Sequence, residues 1–211
     1  MFGAEAERAL DDLRKFAMKL GAADARIIST DKVVVENRVV LKCKHWCDQY
    51  GVNWSCPPFV PSTEEFRSIL KEYEYAMVAK FQSSAEVSEE AHRLLTSEEP
   101  LGIQRGREKL EGFYRIWGED KQKVHRSLLK LEKFAFTNGF AFALSLRAGA
   151  CNLCSRCNVT KPCVHPEMLR FPPEAVGVNL IKTLQNAGIS LSVPVGKLRE
   201  STSLVTMLLI T

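Results

Sequence analysis

Apolar residues near the start of the chain, Ala6, Leu10, Leu13, Ala17 and Leu20, recur every three or four positions and so share one stripe of a helix over 5–20. Gly21 follows as the helix terminator. The pattern then changes. Segments 25–29 and 32–41 are rich in Val and Ile and are separated by the turn-like pair Thr30-Asp31, which reads as two strands, the second running straight into Cys43. After a loop over 43–61, Ser62-Thr-Glu-Glu65 has the spacing of a capping box, in which two side chains satisfy backbone N–H groups left over at a helix start. That helix presents Phe66, Ile69, Leu70 and Tyr73 on one face, and a strand follows over 75–81.

The middle, 84–138, reads as charged helix broken near 98–102. Its last helix carries Val124, Leu128, Leu131 and Ala135 on one stripe and ends at Asn138-Gly139. An apolar strand over 140–146 delivers Arg147-Ala-Gly-Ala150. Pro172 and Pro173 start a helix with Val176, Leu180 and Leu184 inward and Gly188 past its end. Residues 203–210 read as a buried strand. The order β-β-α-β-(helices)-β-α-β predicts an α/β fold: a mixed β-sheet covered by helices, in a single domain over 1–211, with 84–138 as a helical insertion or subdomain.

Composition narrows the function class. The chain has 211 residues, 45% hydrophobic and 26% charged, as expected of a globular protein. No apolar run approaches the roughly 18–20 residues that span a bilayer. The opening residues form a charged amphipathic pattern unlike a secretory signal, so we expect a cytoplasmic protein with no membrane association. The formal charge is +4. Positive residues are interspersed rather than gathered into a basic run, which argues against a nucleic-acid partner.

Seven cysteines are present, an odd number, and in a reducing compartment such density points to metal or redox chemistry rather than disulfides. Cys151, Cys154 and Cys157 are spaced by two residues each, and Cys163 follows. Successive C-x₂-C turns aim several thiolates at one spot, and the spacing tracks that of bacterial ferredoxins. A structural zinc site usually splits its cysteines into two knuckles separated by a longer loop. One continuous run instead suits three corners of a [4Fe–4S] cluster with Cys163 as the fourth ligand, zinc being the alternative. Pro162 and Pro166 stiffen the returning loop.

A second group is Cys43, Cys47 and Cys56, the last followed by Pro57-Pro58. A C-x₃-C-x₂-C signature fails, because Tyr50 occupies its third position. These three thiols would hold three corners of a second cluster, or would be buried reduced thiols in an aromatic loop. Three ligands would leave one metal position open to substrate, or to His45, His165 or a cysteine of the other run. Both groups follow predicted strands, so they are expected to meet in one crevice at the strand ends.

Around the longer run lie His165 and Glu167, read either as ligand or outer partner or as loop residues facing solvent. Arg147, Arg156, Lys161 and Arg170 would balance cluster charge, receive an acidic partner or simply be surface charge. Trp46 and Trp54 would shield a cluster or pack in the core. Gly51 and Gly149 would let the chain approach each cysteine group closely.

Taken together, Leu41-Lys-Cys43, Cys47, Tyr50-Gly51, Trp54-Ser-Cys56-Pro-Pro58, Arg147-Ala-Gly-Ala-Cys151, Cys154, Cys157, Cys163-x-His165-Pro-Glu167 and Glu174-Ala-x-Gly177 resemble DUF2284, a family of predicted metal-binding proteins. The resemblance runs from about residue 25 to the end. It implies metal binding by both cysteine groups and supplies no reaction. One family segment carries a further cysteine where this chain has Val176.

The functional expectation is an iron–sulfur protein of electron transfer or redox metabolism, working with a redox partner protein. Two alternatives stand beside it. One is an enzyme whose cluster at Cys43, Cys47 and Cys56 binds substrate at an open iron; the other is a zinc-stabilised interaction module.

Overall fold

The computed structural model describes residues 4–86, 110–190 and 202–211. Among these, five helices and four strands follow in the order α1 (Ala4–Lys19), β1 (Asp24–Ser29), α2 (Asn37–Trp46), α3 (Thr63–Leu70), β2 (Tyr75–Gln82), α4 (Glu111–Thr137), β3 (Leu144–Leu146), α5 (Leu180–Asn186) and β4 (Ser203–Ile210). The strands form one sheet in the order β1-β2-β4-β3. Tyr75 faces Ile210 and Gln82 faces Ser203 across the central pair, Asp24 faces Lys80 on one side, and Leu144 faces Leu209 on the other.

Both faces of the sheet are covered, so its central strands are apolar almost throughout. On one face Met77, Ala79, Phe81, Leu204 and Leu208 meet Leu13 and Ala17 of α1 and Val124, Leu131 and Ala135 of α4. On the other, Ala76, Val78, Val205, Met207 and Leu209 meet Phe66 and Leu70 of α3, with Val176 and Leu184. Alternate residues of one strand thus feed opposite layers. Each fully buried Leu or Phe contributes about 1.5–3 kcal/mol by leaving water.

The α/β class holds, and local signals place α1, β1, α3, β2 and β4. The capping box is complete: Ser62 Oγ accepts the Glu65 N–H at 3.2 Å, and Glu65 Oε2 accepts that of Ser62 at 2.7 Å. Four expectations change.

The strand expected over 32–41 is instead a 3₁₀ turn, a single bridge between Val35 and Val178, and then α2. β-branched residues favour strands only where a neighbouring strand accepts them. Here the Glu36 N–H donates to Gly177 O at 2.8 Å, that of Asn179 to Val34 O at 2.7 Å, and pairing goes no further. With the edge position gone, helical spacing half-buries Val39, Val40 and Cys43 together.

The expected strand over 140–146 shortens to Leu144–Leu146, and Phe142 stands 75% exposed. The helix expected from Pro172 splits at Gly177 into a 3₁₀ turn, Pro173–Val176, and α5. All three strand pairings are antiparallel where a mixed sheet was expected. The cysteine groups are therefore not gathered by the carboxyl edge of parallel strands.

The expected break near 98–102 lies outside the described residues. Residues 111–137 form one helix packed against α1, β3 and β4.

Candidate metal centre

β3 ends at Leu146 and hands the chain to Arg147, whose side chain is fully buried. Gly149 has φ +63°, a left-handed conformation that favours glycine, and Lys121 lies against it, its Cδ 3.6 Å from where a Cβ would stand. Cys151 follows. Cys151, Cys154, Cys157 and Cys163 all line one small cavity, walled also by Asn53, Trp54, Leu153, His165 and Leu169. All seven cysteines are free thiols.

The loop carrying Cys56 is bonded directly to this run. Asn53, 2% exposed, donates from Nδ2 to Cys151 O at 2.9 Å and to Gln49 Oε1 at 3.0 Å. Its Oδ1 accepts the Ser55 N–H at 3.0 Å and the Ser55 hydroxyl at 2.9 Å. Ser55 Oγ in turn accepts the Cys151 N–H at 2.8 Å and lies 3.7 Å from Cys56 Sγ. The Trp54 indole N–H donates to Asn158 O at 3.3 Å and Lys161 O at 3.1 Å. Its ring leans on Phe59, with centroids 4.7 Å apart. The loop carrying Cys56 is therefore tied to the four-cysteine run by side-chain to backbone bonds, but Cys43, Cys47 and Cys56 do not share the cavity that the four line.

Below them, α4 acts as a scaffold. Its apolar stripe enters the core, while residues on a neighbouring stripe hold the cysteine segment. Gly118 O accepts from Asn152 Nδ2 at 2.9 Å, and Gln122 Nε2 donates to Asn152 O at 2.8 Å. His125 Nε2 lies 2.8 Å from Met168 O. The Glu132 carboxylate pairs with Arg170 and accepts the Ser145 N–H at 2.7 Å. Burial pushes the His125 pKa down to about 4, helped by the nearby Arg147 charge. For Glu132, burial works upward, but the bonds from Arg170 and Ser145 outweigh it and hold the carboxyl below its ordinary range.

Cys43 and Cys47 are four residues apart at the end of α2, near Cys56. Cys56 is buried and Cys47 exposed. Burial pushes the Cys56 thiol up to about 11 against the Ser55 bond, and Cys47, Cys43 and Cys151 add to the rise. Cys43 is raised by burial, then by Cys47 and Glu174. Cys154 is raised by burial, then by Cys151, Cys163 and Cys157. Thiols that oppose one another's ionisation in this way are donors that a cation would deprotonate together.

Among the described residues, no three His, Cys, Asp or Glu side chains already stand close enough to hold one metal ion. The residues fit a metal group by their chemistry: four sulfur donors on one cavity with fixed backbone around Cys151.

Cys43 also opens on a second, larger cavity of about 560 Å³, lined by Val39, Trp117, Gly149, Glu174 and Leu204 among others. Glu174 is half-buried and lines this cavity. Burial raises its pKa, and Oε2 has no hydrogen-bond partner.

Other candidates sort plainly. His165 lines the four-cysteine cavity, and its backbone N–H donates to Cys163 Sγ at 3.4 Å. His45, Glu167, Arg156 and Lys161 are exposed, and Arg170 is committed to Glu132. Trp46, 83% exposed, packs in no core, whereas Trp54 walls the cavity. Asn53, Ser55, Lys121, Gln122 and Asn152 escaped sequence reading. Asn53, Ser55 and Asn152 were traceable, as small polar residues flanking Trp54 and the cysteines; Lys121 and Gln122, single polar residues on a long helix, carry no such signal.

No curated protein and no solved structure matches the chain. The family model of DUF2284, described as predicted metal-binding protein, matches residues 26–210, a span that takes in both cysteine groups, the Asn53–Ser55 link and all four strands but part of β1. The chain belongs to the DUF2284 family of predicted metal-binding proteins.

Proposed function

We propose that this is an iron–sulfur protein that carries electrons in redox metabolism, with a [4Fe–4S] cluster on Cys151, Cys154, Cys157 and Cys163. The observation that carries the reading is the convergence of these four thiols on one cavity. A structural zinc site usually splits its cysteines into two knuckles, whereas Cys151, Cys154 and Cys157 form one continuous run that suits three corners of a cubane. When bound, such a cluster supplies one-electron exchange at a potential set by charge, hydrogen bonds and exposure.

The chain's own residues prepare that setting. Trp54, Leu153 and Leu169 keep water from the cavity, and the His165 N–H bonds a ligand sulfur. Exposed Ser155 and Arg156 lie between the cysteines, giving a redox partner protein a short approach. A reducing, cytoplasmic setting suits seven free thiols.

Protein purified without oxygen should contain iron and acid-labile sulfide in about equal amounts, near four of each per chain. Zinc without sulfide would reject the reading in favour of a zinc-stabilised module.

The cavity at Cys43 favours a second reading, an enzyme whose substrate reaches an open metal position on Cys43, Cys47 and Cys56. Its volume lies in the range of small-molecule sites, and Glu174 offers it an unpartnered oxygen. A second EPR signal, lost in Cys56→Ser and shifted by cyanide, is expected. A single signal unresponsive to cyanide would rule this reading out.

A further inference from the structure

Arg147 is fully buried, yet its hydrogen-bonded partner is an amide rather than a carboxylate: Nη2 donates to Asn152 Oδ1 at 2.7 Å. Nε and Nη1 have no hydrogen-bond partner among the described residues. A guanidinium keeps its charge at any pH a protein survives, so burial cannot be relieved by losing a proton. An unpaired buried charge is strongly disfavoured, and an anion normally stands beside it.

The groups that act on Arg147 favourably are the thiols of Cys151 and, after it, Cys56. The bonds already described bring them there. Asn152, which holds the guanidinium, adjoins Cys151, and Ser55, the residue before Cys56, accepts the Cys151 N–H and lies 3.7 Å from Cys56 Sγ. Lys121, half-buried on α4, comes to the same place over Gly149 and is acted on by Cys151 and Cys56 as well. Of the four cations around the run, Arg156 and Lys161 are exposed and Arg170 is paired with Glu132, so Arg147 alone is buried without a carboxylate partner.

We propose that Arg147, seconded by Lys121, is the built-in counter-ion at the junction of the two cysteine groups, holding a metal–thiolate group in its more negative state. This rests on the metal reading above. Four thiolates on a cluster core of about +2 leave about −2. One-electron reduction by an external donor adds one further negative charge, and a fixed buried cation favours that form. Neither residue is a ligand; both are positioning residues that act through the sulfurs.

The test compares wild type with Arg147→Met, Arg147→Lys and Lys121→Met. Metal retention against a chelator is measured for whichever metal the protein holds, and the midpoint potential is measured with dithionite if that metal is iron. Arg147→Met is expected to weaken retention, and to disfavour the reduced form at least tenfold, which is 59 mV for one electron. Arg147→Lys should recover most of either effect, because it restores the charge; a merely structural role would leave lysine as harmful as methionine. If Arg147→Met does not fold, Lys121→Met decides, with a smaller shift of the same sign. Variants that retain metal and potential like wild type would overturn the proposal, whereas wild type without any metal would overturn the function above instead.

Discussion

Ser55 Oγ accepts the backbone N–H of Cys151 at 2.8 Å, joining positions 96 residues apart. Ser55 is fully buried, and its own proton goes to Asn53 Oδ1. This hydroxyl, together with the Asn53 amide and the Trp54 indole, ties the cysteine loop to the cysteine run. Ser55→Ala would leave the Cys151 N–H buried without a partner. A loss of about 1–3 kcal/mol in urea unfolding is expected, together with faster metal loss to a chelator. Unchanged stability would mean that water replaces the hydroxyl and that the link is incidental.

The Glu132–Arg170 pair is largely covered, with side chains 17% and 16% exposed. Glu132→Ala strands Arg170 and also removes the acceptor for Ser145, at a cost of about 3–5 kcal/mol. The double replacement Glu132→Leu with Arg170→Met should cost less than the single one, because no charge is left uncompensated. A double variant worse than Glu132→Ala in urea unfolding would show instead that the pair is needed as a pair.

Gly177 has φ +91°, and a Cβ there would come within 2.6 Å of Thr63 Cγ2 and 2.8 Å of Thr63 Oγ1. Backbone strain and collision act together, so Gly177→Ala should destabilise by at least the ~1–3 kcal/mol of a strained backbone position. Adding Thr63→Ala should recover most of the collision part, leaving a 3.2 Å contact with the Cβ at position 63, but not the backbone part. Thermal unfolding of the three variants separates the two.

His125 is 1% exposed and its folded pKa is about 4, against an ordinary value of 6.5. Above pH 6.5 both states are neutral and the group is silent. As pH falls below 6.5 the unfolded chain takes up a proton that the folded protein refuses, so stability declines until about pH 4 and then no further from this source. The slope approaches about 1.4 kcal/mol per pH unit at most. Urea unfolding at pH 7 and pH 4.5 should show a smaller difference for His125→Gln than for wild type. Equal differences would assign the acid sensitivity elsewhere.

Local patterning carried further in some places than others. The stripe of α4, the ends of β4 and the Ser62–Glu65 cap were legible because each is set by residues within a few positions. The valine run before Cys43 was not. Its composition suits a strand, and it becomes α2 because pairing stops after the single Val35–Val178 bridge. Gly177 likewise reads as an unremarkable residue in a helix until Thr63 arrives from 114 positions away and fills the space a side chain would need.

The metal-binding character of this chain is written in the spacing of Cys151, Cys154 and Cys157, since ligand spacing is a local property of backbone turns. Membership of the family follows from the same kind of information. What surrounds those sulfurs is not local. Asn53 and Ser55 bond the backbone of Cys151 across about a hundred residues, Gln122 and His125 bond the backbone at Asn152 and Met168 from α4, and Arg147 has meaning only once its burial leaves it without a carboxylate. Burial, electrostatic pairing and cavity shape belong to no single segment, so they come into being only when the segments pack.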